Sequence, residues 1–184
     1  MAVRDKPPYP WYQIVEGTDF TQGDIIRDCP IPVPTPDEGF LAAVKEDGEL
    51  DTHWGLKTAS LIVLTQACDI EYSRVESIVL CPVWTMDLVA ERHQQFSSAG
   101  GKEQMRKGQV HYFHLLKDDP ELGIGHLVVD FRELYTLPTD FLRLVAAGCG
   151  ERPRLLPPYR EHLSQSFARY FMRVGLPIDI PAFR

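Results

Sequence analysis

The chain has 184 residues and a mass of 21.0 kDa; 44% of the residues are hydrophobic, 10% aromatic and 24% charged, enough apolar material for one globular domain. Nineteen Lys and Arg against 26 Asp and Glu leave a formal charge of -7, and mean hydropathy is -0.19, which argues against a dedicated duplex-DNA binder and against a membrane protein. No apolar run approaches the roughly 18 residues of a bilayer span, and the opening Met1-Ala2-Val3-Arg4-Asp5-Lys6-Pro7-Pro8 has no apolar signal core, so a cytoplasmic location is expected.

Seven prolines among the first 36 residues (Pro7, Pro8, Pro10, Pro30, Pro32, Pro34, Pro36) predict turns and extended pieces there rather than long helices. Gln22-Gly23-Asp24-Ile25-Ile26-Arg27 reads as a turn feeding a short strand, and Phe40-Leu41-Ala42-Ala43-Val44 as a second strand. The strongest strands are Ser60–Thr65 and Ser77–Val83, whose apolar residues are consecutive rather than alternating, the pattern of burial on both faces. From Met86 to Phe96 the spacing of Leu88, Val89, Arg92 and Phe96 predicts a helix, broken at Ala99-Gly100-Gly101 and followed by a short polar helix or loop from Lys102 to Lys107. Strand character returns at Val110–Leu115 and His126–Phe131. A terminal helix is predicted near 158–174, where Leu163, Phe167, Tyr170, Phe171 and Val174 recur at steps of three and four before Gly175 and Pro177.

Gly23-Asp24-Ile25, then Leu61-Ile62-Val63-Leu64-Thr65, then Ile78-Val79-Leu80-Cys81-Pro82-Val83 resemble the core strands of the MazF/PemK toxin superfamily, over roughly residues 22–85. That resemblance implies a small, curved SH3-like β-barrel, usually dimeric, whose active members cut single-stranded RNA. Active members place an Arg-Pro pair just before the apolar strand, where a cation steadies the charge of the transition state. Here Ala59-Ser60 stands in that place, Lys57 is the nearest cation, and the expected hydroxyl after the third strand matches Thr85. Loss of such a stabiliser costs roughly 3–4 kcal/mol of barrier, and a lysine lacks the planar fork that suits a phosphate. The chain is therefore expected to be non-nucleolytic; if it is an enzyme, the expectation is a metal-independent endoribonuclease with Lys57, Thr85 and an orienting Asp24.

Gln66, Cys68 and Asp69 cluster at the end of an apolar strand, a place for a ligand pocket, although Asp69 disfavours the Cys68 thiolate and turn hydrogen bonding explains the same residues. The four cysteines, at 29, 68, 81 and 149, form no Cys-x-x-Cys pair, and His111 and His114 would point to opposite faces of a strand, so neither a metal nor a cofactor is expected. Trp11 and Tyr12, and Arg169, Tyr170 and Arg173 of the terminal helix, are candidate partner contacts. Residues 141–184 hold seven arginines and three acids, so that basic tail either complements the acidic remainder or faces an acidic partner.

These observations predict a mainly β (α+β) chain: a proline-rich arm over 1–19, a small SH3-like β-barrel of MazF/PemK type over 20–140 with a helical insertion at 86–107, and a C-terminal helical tail over 141–184 packed on the barrel. The expected function is a non-catalytic protein-interaction module, an accessory or regulatory part of a bacterial toxin–antitoxin or antiphage system, CRISPR-linked ones included. Its expected partner is another protein of such a system, with RNA as the alternative, a homodimer allowed, and neither duplex DNA nor a membrane. A sequence-specific endoribonuclease and a small-ligand or nucleotide sensor are the rival functions.

Overall fold

The computed structural model describes residues 9–35 and 54–172. Eight strands and five helices of more than one 3-10 turn are present among them, and the sheets are antiparallel throughout. The strands are β1 (Tyr12–Val15), β2 (Ile25–Pro34), β3 (Trp54–Val63), β4 (Ser77–Thr85), β5 (Phe113–Leu116), β6 (Leu127–Asp130), β7 (Tyr135–Pro138) and β8 (Arg152–Leu155). The helices are α1 (Ala67–Glu71), α2 (Met86–Arg92), α3 (Ala99–Arg106), α4 (Thr139–Gly148) and α5 (Tyr159–Phe171).

The main sheet runs β2-β3-β4-β6-β5, with β7 on β4, and β1 pairs with β8 in a second sheet. The consecutive apolar residues of the central strands divide between two cores. Ile26, Leu61, Val63, Ile78 and Leu80 face α4, where Leu142, Phe141 and Val145 cover them. Their neighbours Ile25, Ile62, Leu64, Cys81 and Val83 face the other way, against Leu163, Phe167 and Tyr170 of α5. Two-sided cover is the physical reason these strands carry no polar alternation. A third, smaller core joins α2, α3 and the 3-10 turn Gln94–Phe96 to β5 and β6 through Met86, Val89, Phe96, Met105, Phe113 and Val128.

The sheet curls around the α5 core but does not close. β8 reaches β2 through the bridge between Asp24 and Arg154 and a hydrogen bond from the Leu155 N–H to the Gly23 carbonyl. At the far end, β1 meets the segment after β5 through the Tyr12 hydroxyl, which donates to the Lys117 carbonyl at 2.8 Å. A side-chain bond thus spans the gap that a strand ladder would fill in a barrel.

Several predicted elements are corrected. The strand that follows Gly23 runs ten residues, Ile25–Pro34, through Pro30, Pro32 and Pro34, because prolines of one parity can take the positions opposite Thr58, Leu56 and Trp54 whose backbone nitrogens face away from β3 on an edge strand. Ala99-Gly100-Gly101 starts α3 rather than breaking a helix: Ser98 caps it, its hydroxyl accepting from the Gly101 N–H at 3.1 Å. Gly101 is required there because a Cβ would lie 1.9 Å from the Gln95 carbonyl oxygen. Residues 110–112 lie outside β5, and β1, β7, β8, α1 and α4 had no counterpart in the predicted pattern. The expected arm and tail therefore both contribute a strand, and the two strands pair. The strand predicted at Phe40–Val44 lies outside the described residues.

Candidate functional site

Lys57, Thr85 and Asp24 each have separate structural partners. Lys57 Nζ lies 2.8 Å from Glu133 and 2.6 Å from the Tyr135 hydroxyl, contacts that hold its pKa above the usual lysine value. Thr85 caps α2, its hydroxyl oxygen accepting from the Leu88 N–H at 3.3 Å. Asp24 is fully buried beneath Arg152, 2.9 Å away, and Arg154, which grips the same carboxylate through two nitrogens. Arg152 also donates to the Gly17 carbonyl at 2.9 Å, so this cluster welds the turn before β2 to β8. Two of the seven tail arginines thus neutralise an acid from the front of the chain.

Thr85 nevertheless lines a crevice of about 580 Å³ together with Lys102, Arg106, Asp87, Glu103 and His126. No sequence spacing connects α3 to Thr85; the third core brings them together. Arg106 is held in a two-pronged pair by Glu103, both contacts 2.7 Å.

Gln66, Cys68 and Asp69 lie on and just before α1. Cys68 is exposed, and Asp69 lies 3.7 Å from Arg74. The adjoining cavity of about 350 Å³ is lined instead by Ala67, Ile70 and Glu71 from the other side of that helix, with Asp19, Arg143 and Arg154 across from them. Thr65 is the structural residue of that corner, its hydroxyl accepting from the Val79 N–H at 2.8 Å. Gln66, Cys68 and Asp69 are absent from that cavity's lining.

Of the expected partner contacts, Tyr12 is 3% exposed and belongs to the core, because its ring closes the gap described above. Trp11 is half-buried and stacks on Tyr159 with centroids 3.8 Å apart, fastening β1 to α5. Tyr170 packs on Phe131 at 6.1 Å. Arg169 is exposed, and Arg173 lies outside the described residues.

One exposed apolar face has no counterpart in the predicted pattern. In the β2–β3 ribbon Pro32 stands opposite Leu56 and Pro34 opposite Trp54, so these four side chains share one face. Trp54 is 55% exposed and Leu56 is 73% exposed. The alternation of Trp54 and Leu56 at two-residue spacing was the available signal, masked by the weak strand character of Gly55 and Lys57.

Among the described residues no group of three or more His, Cys, Asp or Glu is placed to hold a metal ion, and no helix is long and apolar enough to cross a membrane. No protein-family model matches the chain, and neither does any curated protein or solved structure.

Proposed function

We propose that this chain is a non-catalytic protein-interaction module, an accessory component of a bacterial toxin or antiphage system, built on a divergent and opened SH3-like barrel of the MazF/PemK kind. The observation that carries the docking function is the ribbon face of Pro32, Pro34, Trp54 and Leu56, an apolar strip ended by a tryptophan, the residue type most often found at binding hot spots. The segment joining its two strands, residues 36–53, holds six acids (Asp37, Glu38, Glu46, Asp47, Glu49, Asp51) against Lys45 alone. A partner with an apolar groove flanked by basic residues complements both features. The family and defence context are supported by the strings Gly23-Asp24-Ile25, Leu61–Thr65 and Ile78–Val83, which lead into, end and lie within three adjacent antiparallel strands.

The test is binding of host proteins to the wild-type chain and to the double variant Trp54→Ser, Leu56→Ser. A protein retained by the first and bound at least tenfold more weakly by the second supports the reading. Equal retention by both discards the ribbon as the docking face.

A metal-independent endoribonuclease is a second reading, favoured by one observation: Thr85 shares its crevice with Lys102, Arg106 and His126, side chains able to bind and protonate a phosphodiester. The capping role of Thr85 and the hold of Glu103 on Arg106 weigh against it. RNA cutting that disappears in Thr85→Ala would establish this reading over the first.

A further inference from the structure

Beside the Thr85 crevice, with which it shares Arg106 and Leu115, a cleft of about 360 Å³ opens between the end of α3, β5 and α5. Its wall includes Arg106 and Lys107 from one side and Gln165, Ser166 and Arg169 from the other, with His111, His114 and His162 between them. No carboxylate lines it, and every polar side chain that does can donate a hydrogen bond. Glu103 lies outside this lining and balances Arg106 and Lys107 in part, at 2.7 and 3.4 Å. Arg169 makes no ion pair among the described residues.

That arrangement is unusual for a protein whose overall charge is -7. Three structural elements aim basic or hydrogen-bond-donating groups into one cleft, Arg169 among them without an ion pair, and burial first, then repulsion from His162, lowers the pKa of His114. An anion between the walls would relieve that repulsion and gain charge-assisted hydrogen bonds. The floor is apolar, from Met105, Val110, Phe113 and Leu115, so the anion best suited carries a flat or apolar body beside its charge. The volume is within the range of small-molecule sites.

We propose that this cleft binds a nucleotide phosphate, with Arg169 and the Arg106–Lys107 pair on the two sides of the phosphate and the base over the Val110–Leu115 floor. The site is separate from the ribbon face, and its existence does not depend on the docking function.

Calorimetric titration of the full chain with the four ribonucleoside 5′-monophosphates, the matching nucleosides, inorganic phosphate and a short single-stranded oligoribonucleotide tests it. At least one phosphate-bearing nucleotide or the oligonucleotide is expected to bind, at least tenfold more tightly than its nucleoside and than inorganic phosphate. Arg169→Glu is expected to weaken that binding about tenfold or more, while Arg27→Glu, an exposed arginine on β2, leaves it unchanged. Tighter binding of the oligonucleotide than of every monophosphate would assign the phosphate to an RNA chain, and the reverse to a free nucleotide; both support the site. No binding by any phosphate-bearing probe, equal binding of inorganic phosphate, or binding indifferent to Arg169→Glu would overturn it. Arg169 is exposed at the helix surface, and unchanged thermal unfolding of Arg169→Glu separates loss of the site from loss of the fold.

Discussion

Asp24 and Arg152, 128 residues apart in the chain, form an ion pair at 2.9 Å in which the two side chains are 0% and 1% exposed. Such a pair adds little over an apolar replacement of both members, but removing one leaves a buried charge without compensation. Asp24→Asn is therefore expected to destabilise the fold by about 3–5 kcal/mol, because both Arg152 and Arg154 lose their carboxylate. Urea unfolding measures it through the midpoint at constant slope. A loss below about 1 kcal/mol would mean that solvent reaches the cluster.

Gly100 and Gly101 are adjacent in α3 and should respond oppositely to alanine. Gly101→Ala puts a Cβ against the Gln95 carbonyl and is expected to cost about 3 kcal/mol. Gly100 has no neighbour nearer than 4.0 Å, so Gly100→Ala should gain up to ~1 kcal/mol from helix propensity. Thermal unfolding of the two variants side by side checks this, and equal shifts would contradict the described packing of the 94–101 turn.

That contrast shows where the sequence was readable. The central strands were legible because β3 and β4 are covered on both faces, and two-sided burial writes itself as an unbroken apolar run. The Ala99-Gly100-Gly101 step was not, because a glycine needed for close approach to a carbonyl looks the same in sequence as one that ends a helix. β1, β7 and β8 are four residues each, too short for a period to show, and β8 contains two arginines whose burial depends on Asp24 far away. Of the candidate site residues, Thr85 was found through the resemblance. Lys102, Arg106 and His126 beside it depend on the packing of a third core, which no local pattern records.

Thr85 and Lys57 are expected to behave as structural residues. Thr85→Ala should cost about 1 kcal/mol through loss of the cap on α2. Lys57→Ala should cost less than about 1 kcal/mol, since the pair with Glu133 is exposed on both sides. Chemical unfolding of each variant measures these values. An RNA-cleaving activity abolished by both, with stability unchanged, would reverse the assignment.

His114 gives the fold a pH dependence in the acid range. Burial, with His162 nearby, lowers its pKa from 6.5 to about 4 in the folded chain. Between those values the unfolded chain binds a proton that the folded chain does not, so stability falls as pH drops from 6.5 towards 4. The contribution is about 2 kcal/mol after allowance for the water that still reaches the ring. The difference in unfolding free energy between wild type and His114→Gln, measured at pH 7 and pH 4.5, should change by that amount; a constant difference would show the ring to be ordinarily solvated.

The pairing of the chain's early and late segments has a consequence for biosynthesis. At 5–20 residues per second a ribosome needs roughly 6–26 s to deliver Arg152 after Asp24. Throughout that interval the nascent polypeptide carries a carboxylate bound for the interior without its guanidinium partners, so the last strand to emerge decides when that charge is neutralised.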